Sequence, residues 1–269
     1  GFEVDFAPVD EKGFVDVDAL ANLIRPDTTL VSVMAVNNEI GSIQPIEAIS
    51  KLLADKPTIS FHVDAVQALA KIPTEKYLTD RVDFATFSSH KFHGVRGVGF
   101  VYIKSGKKIA PLLTGGGQER DYRSTTENLA GIAATAKALR LSMEKLDIFT
   151  SKTGQMKAVI RQALLDYPDI FAFSDEDDFA PHILTFGIKG VRGEVIVHAF
   201  EDYDIFISTT SACSSKAGKP AGTLIAMGVD KDKAQSAVRL SLDLENDMSQ
   251  VEQFLTKLKL IYNQTRKVR

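Results

Sequence analysis

Short apolar, β-prone runs punctuate the first hundred residues at Thr29–Ala35, Ile59–Val63, Val82–Phe87 and Gly99–Ile103. A helical pattern separates the first two: within Pro45–Ala54, Ile46, Ile49, Leu52 and Leu53 share one face, and Pro45 suits a first turn. Strands alternating with helices specify an α/β layered architecture with a mainly parallel sheet. Such sheets bind ligands at the carboxyl ends of their strands. There the sequence places Asn37-Asn38-Glu39, Asp64 with Gln67, and Ser88-Ser89-His90-Lys91. Residues Gly1–Phe6 read as a strand already in progress, so the chain reads as a piece of something longer.

The pattern changes further along. Gly115-Gly116-Gly117 leads to an Ala-rich helix over about Asn128–Leu146, with Ile132, Ala136, Leu139 and Met143 on one stripe, and a second helix covers Ser151–Leu165. Shorter units follow: strands at His182–Ile188, Ile205–Ser208 and Ala237–Leu242, and helices at Glu194–Glu201 and Ser249–Tyr262. The expected organisation is a parallel-sheet major domain over residues 1–148 and a smaller α+β domain over 149–269.

Composition excludes several classes. Among 269 residues, 44% are hydrophobic and 25% charged, with a net charge of −3, which describes a globular chain rather than a polyelectrolyte. The basic stretch Lys257–Arg269 reads as a solvated helix face, not a nucleic-acid site. No apolar run reaches the roughly 20 residues of a membrane span, and the start lacks a signal pattern. A single cysteine rules out an internal disulfide and points to a reducing, cytoplasmic compartment. The histidines show no metal-ligand spacing, and neither His182 nor His198 has an evident partner in the sequence.

Chemistry concentrates at three places. A lysine at the end of a buried strand, beside hydroxyls, is what a Schiff-base enzyme needs: Lys91 must be desolvated, and Ser88 and Ser89 can hold a cofactor phosphate. The same tetrapeptide also fits an ordinary loop. In His62-Val63-Asp64-Ala65-Val66-Gln67, Asp64 suits a pyridinium nitrogen and Gln67 a phenolic oxygen, while Asp64 equally suits a helix N-cap. His62 and His93 read as structural hydrogen-bonding residues. Cys213 lies in a stretch of small, polar, Gly and Pro residues (208–220) that indicates a mobile surface loop, where a thiolate would be accessible. Lys216 and Lys219 either favour that thiolate or are solvated charges.

The runs Val36-Asn37-Asn38-Glu39-Ile40-Gly41, Phe61–Gln67, Ser88-Ser89-His90-Lys91, Gly115-Gly116-Gly117-Gln118-Glu119 and Ser211-Ala212-Cys213-Ser214-Ser215 resemble those of cysteine desulfurases. These are fold-type I pyridoxal-phosphate (PLP) enzymes of the aminotransferase class V superfamily. The resemblance extends from about residue 16 to about 258. It implies Lys91 as the Schiff-base lysine and Asp64 as the partner of the pyridine nitrogen. Gln67 and Asn38 fall near the phenolic oxygen, and Ser88, Ser89 and His90 on the phosphate side. Thr126 matches a residue that reaches the phosphate of the partner subunit, which implies a homodimer. Arg239 matches the clamp on the substrate carboxylate, a bidentate role suited to a guanidinium. Cys213 matches the nucleophile that takes the sulfur of L-cysteine as a persulfide, leaving alanine.

Two departures accompany the resemblance. The family's N-terminal Ala-Thr-Glu-type phosphate turn and its ring-stacking histidine have no counterpart here, and Thr125 stands where members more often have Gly. The expected function is sulfur transfer to an iron–sulfur scaffold, a tRNA-thiolation enzyme or a thiamine-pathway carrier, without membrane or nucleic-acid binding. The alternatives are a catalytically incomplete desulfurase-like fragment or scaffold without PLP, and a related lyase or aminotransferase.

Overall fold

The computed structural model describes residues 1–174, 178–210 and 222–267. The chain runs α1 (Val17–Leu23), β1 (Leu30–Met34), α2 (Ile46–Leu52), β2 (Ser60–Asp64), β3 (Phe84–Ser88), β4 (Gly99–Ile103) and α3 (Leu129–Met143). It continues through α4 (Leu146–Leu164), β5 (Ile170–Ala172), β6 (Ile183–Ile188), α5 (Gly193–Glu201) and β7 (Ser208–Thr209). Two short helices, α6 (Gly222–Ala226) and α7 (Lys231–Ser236), precede β8 (Val238–Ser241) and α8 (Met248–Lys267). No helix among the described residues is long and apolar enough to cross a membrane.

Two compact units form. One comprises Pro26–Ala35 and Ile46–Leu146; the other comprises Gly1–Arg25, Val36–Pro45 and Asp147–Arg269. One change of unit falls at 146/147. The segments 1–25 and 36–45 group with the C-terminal part.

In the first unit the sheet order is β1-β2-β3-β4, with β1, β2 and β3 parallel and β4 antiparallel to β3. This is the mainly parallel sheet that the alternation predicts. Strand side chains alternate between faces. Val31, Phe61, Val63 and Ala85 lie on one face and are buried, each large apolar side chain contributing about 1.5–3 kcal/mol. The opposite face carries Ser32, His62, Asp64, Thr86 and Ser88, all of them less buried. Just before β3, the buried carboxylate of Asp83 accepts from the Phe61 N–H at 2.9 Å and from Arg81 Nη1 at 2.7 Å, and Lys107 Nζ lies 3.3 Å away. The entry of β3 is thereby pinned to β2.

Helix α3 is capped by Asn128, whose side chain accepts from the Gly131 N–H. Its buried positions are Gly131 and Thr135, while Ile132, Ala136 and Met143 of the expected stripe are exposed. The reason is close approach to the Ser89–Phe92 turn. Ser142 donates to the Phe92 carbonyl at 3.1 Å, and a Cβ on Gly131 would stand 2.8 Å from Val98 Cγ2.

The second unit contains an antiparallel sheet in the order β5-β6-β8-β7. Its core joins Met156 and Ile160 of α4, Phe186 of β6, Ile196 and Phe200 of α5, Val238 of β8 and Phe254 and Leu258 of α8. This is the α+β arrangement expected for the C-terminal region.

Three local expectations are corrected. Gly1–Phe6 forms no strand: Phe2 and Phe6 are 88% and 89% exposed, and without a paired neighbour an apolar alternation has no ladder to join. β7 is a two-residue strand at Ser208–Thr209 rather than Ile205–Ser208, because only those residues pair with β8. His198 has a partner, Glu201, at 2.7 Å one helical turn away.

Candidate active site

The first unit assembles its polar groups at the carboxyl ends of β2 and β3. Asp64 is the last residue of β2 and pairs in register with Thr86 of β3, two residues before Ser88. Asp64 Oδ1 accepts from the Val66 N–H at 3.0 Å. The capping role therefore exists, and it engages one carboxylate oxygen. Gln67 follows in the same turn, half-buried.

Beyond Ser88 the chain turns through a single 3₁₀ segment, Ser89–Phe92, which carries His90 and Lys91. It ends at His93, whose φ of 65° is left-handed. Lys91 is half-buried and His90 exposed. Gly94 is required here: a Cβ at that position would lie 1.9 Å from Ser89 Oγ. Ser89 itself takes a structural position. Its side chain is fully buried and hydrogen-bonded to Thr135 Oγ1 at 2.8 Å, and Thr135 in turn donates to the Gly131 carbonyl. Its backbone N–H donates to the Val98 carbonyl. The expected phosphate contact from the Ser89 hydroxyl is therefore replaced by a packing role against α3. Thr126, before α3, is exposed.

The sheet's polar face also holds a hydrogen-bonded row. His62 Nδ1 lies 2.7 Å from Ser32 Oγ, and its Nε2 lies 3.1 Å from Thr86 Oγ1. Burial pushes the imidazole below its usual range, against the attraction of Asp64. Sequence reading identifies His62 as a hydrogen-bonding residue, but its partners lie 30 and 24 residues away, out of reach of local pattern.

In the second unit, Asn37 Oδ1 accepts from the N–H groups of Glu39 and Ile40 at 2.8 and 3.0 Å, closing a turn that ends at left-handed Gly41. Arg239, half-buried on β8, donates from Nη1 to the Asn38 carbonyl at 2.8 Å. Thr185, its partner on β6, donates to the Glu39 carbonyl. Burial pushes the Glu39 carboxyl up, while the Thr223 hydroxyl and N–H and the charge of Arg239 pull it down. Asn38 and Arg239 are thus brought together with Glu39. Cys213, Lys216 and Lys219 lie outside the described residues.

Comparison with known proteins matches residues 1–254 to the aminotransferase class-V family. The chain belongs to this family. Within it, a NifS/IcsS protein homologue of Lactobacillus delbrueckii subsp. bulgaricus is 50% identical over 269 residues, covering all of this chain and 70% of the relative. A cysteine desulfurase IscS of Clostridium botulinum is 39% identical over 272 residues, covering all of this chain and 68% of the relative. Among solved structures, a NifS-like protein superposes with a TM-score of 0.89 at 37% identity, covering 98% of this chain and 69% of the other. A second, from Rickettsia africae, gives 0.86 at 29% identity, covering 96% and 69%. The chain therefore spans about 70% of the length of these relatives.

Class-V aminotransferases and cysteine desulfurases depend on PLP. The donor set of the first unit fits that cofactor. A strand-end carboxylate with one oxygen engaged by the backbone, an amide in the next turn, a hydroxyl at the end of the adjacent strand and a lysine three residues on match a ring nitrogen, a phenolic oxygen, a phosphate and an aldehyde.

Proposed function

We propose that this chain carries the catalytic body of a PLP-dependent cysteine desulfurase, which converts L-cysteine to L-alanine and retains the sulfur as a persulfide on Cys213. The observation that carries this reading is the placement of Asp64 and the Lys91 turn at the ends of adjacent parallel strands. Bound PLP supplies an electron sink for charge developing at the substrate Cα.

Each residue then has a task. Asp64 keeps the ring nitrogen protonated through charge complementarity. Lys91 Nζ would hold the cofactor covalently and, as a free amine, would move a proton at the substrate Cα. Gln67 and Asn38 orient the phenolic side of the ring; Ser88 and His90 hold the phosphate. Arg239 offers a planar fork to the substrate carboxylate. The Cys213 thiolate attacks the substrate sulfur: the C–S bond breaks, an S–S bond forms, and the substrate Cβ takes up a proton as alanine leaves. No external oxidant is needed, because the C–S bonding pair goes to Cβ, which is reduced to a methyl group, while the transferred sulfur is oxidised to the persulfide level.

The finer assignments are part of the same proposal. The chain passes from one domain to the other near residue 148, with segments 1–25 and 36–45 grouping with the C-terminal one, and the enzyme acts in the cytoplasm as a homodimer in which Thr126 reaches the partner subunit's phosphate. The exposure of Thr126 supports that role. The persulfide sulfur passes to an iron–sulfur scaffold or a tRNA-thiolation enzyme. Peptide mass mapping after incubation with PLP and L-cysteine tests the core of the reading. A gain of one sulfur atom on the Cys213 peptide, together with alanine release, is expected. Cys213→Ser abolishes both while leaving PLP binding unchanged. Alanine formed by that variant at the wild-type rate would overturn the role of Cys213.

A further inference from the structure

The backbone ladder already pairs β1, β2 and β3, so these strands need no side-chain bonds to stay in register. Yet one imidazole spans all three. His62 of β2 meets the Ser32 hydroxyl of β1 at 2.7 Å and the Thr86 hydroxyl of β3 at 3.1 Å. Most side-chain hydrogen bonds go to backbone or water rather than to other side chains. A side chain bonded at both ring nitrogens across two strands orders a surface, and this surface is the polar face carrying Asp64.

The register makes the connection to Asp64 direct. Thr86 is at once the hydrogen-bond partner of His62 and the cross-strand partner of Asp64. His62 lies two residues before Asp64 on the same strand and the same face. We propose that His62 is a positioning residue: bonded to Ser32 and Thr86, it fixes the face on which the Asp64 carboxylate meets the ring nitrogen of the cofactor. This rests on the reading of Asp64 given above. Two supports are independent of that reading. Either tautomer satisfies both hydroxyls, since each hydroxyl can donate or accept, so the ring keeps both bonds without a charge. Burial also disfavours the imidazolium, and Asp64 is the charged group acting on it. A neutral ring leaves the carboxylate free of a competing cation.

The test uses the full chain titrated with PLP, read by fluorescence for affinity and by the absorption maximum of the bound cofactor between pH 6 and 9. His62→Phe keeps a planar aromatic ring and removes both bonds; Thr86→Val is isosteric and removes one. Each is expected to weaken PLP binding by about tenfold, the loss of roughly one hydrogen bond to an ordered site, and to shift the pH at which the absorption changes. Asp64→Asn is expected to do more. The Asp64→Asn/His62→Phe double variant should be no worse than Asp64→Asn alone, because His62 acts through Asp64; a merely structural role would give additive losses. Additive losses, or unchanged affinity and spectrum in a folded Thr86→Val variant, overturn the proposal. If Asp64→Asn itself changes nothing, the role of Asp64 falls and this inference with it. If Asp64→Asn acts and the His62 and Thr86 variants do not, only the inference fails.

Discussion

Arg239 Nη1 donates to the Asn38 carbonyl oxygen at 2.8 Å, joining residues 201 positions apart in the chain. The guanidinium of β8 is thus aimed by the turn that carries Asn38 and Glu39. A lysine in its place would keep the charge and lose the fork geometry. Arg239→Lys is expected to raise KM for L-cysteine by roughly tenfold to a hundredfold, equivalent to losing charged hydrogen bonds of about 1.5–3 kcal/mol. PLP affinity should stay within about twofold of wild type, since a cofactor contact is not what is lost. Steady-state kinetics with a parallel PLP titration measures both, and an unchanged KM would remove Arg239 from substrate binding.

Asp83 anchors the start of β3 by accepting from Phe61 N–H and Arg81 while buried. Its replacement by alanine strands the Arg81 charge in a partly buried site. Loss of one partner of such a pair costs about 3–5 kcal/mol. Urea denaturation of Asp83→Ala should show a correspondingly lower midpoint with an unchanged slope; a shift under about 0.5 kcal/mol would show that Asp83 pins nothing.

The same carboxylate makes stability depend on acid. Burial alone would raise its pKa, but the Phe61 N–H, Arg81 and Lys107 outweigh it and hold the group below the usual range. A depressed folded pKa contributes stability that is fully present above the unfolded value of about 3.9 and is lost as pH falls through the folded value. Denaturation at pH 7 and pH 3 is therefore expected to show a smaller loss in Asp83→Asn than in wild type. Equal losses would place the acid sensitivity elsewhere.

Gly94→Ala tests the turn that presents Lys91. The added methyl would stand 1.9 Å from Ser89 Oγ and 2.9 Å from the Ser89 carbonyl, and Ser89 is held by Thr135. Overpacking of this kind costs about 1–3 kcal/mol, and it displaces the turn that presents Lys91. Gly154→Ala on α4 is the control: its nearest neighbour is Pro181 Cβ at 3.8 Å, so it is expected to be neutral or to gain about 0.5–1 kcal/mol. Thermal melts separate the two, and a Gly94→Ala melt equal to wild type would contradict the steric reading.

The strands that carry the site were legible because they are continuous apolar runs ending in polar clusters, as at Ile59–Asp64 and Val82–Lys91. What stayed hidden depends on distant partners. The fate of the Ser89 hydroxyl is decided by Thr135 in a helix 46 positions away. The buried face of α3 is set by how closely Gly131 and Thr135 approach the lysine turn, which favours small residues over the apolar stripe. The short elements β5, α6 and α7, like α1, have too few residues to show a period. The His62 row joins Ser32, His62 and Thr86 through the side chains of three strands, and no local spacing announces it.

The most direct test of the cofactor site is borohydride reduction of the chain incubated with PLP, followed by peptide mass mapping. One pyridoxyl-modified peptide, carrying the label on Lys91, is the expected result. Labels scattered over surface lysines, or none at all, would contradict a working PLP site at the end of β3.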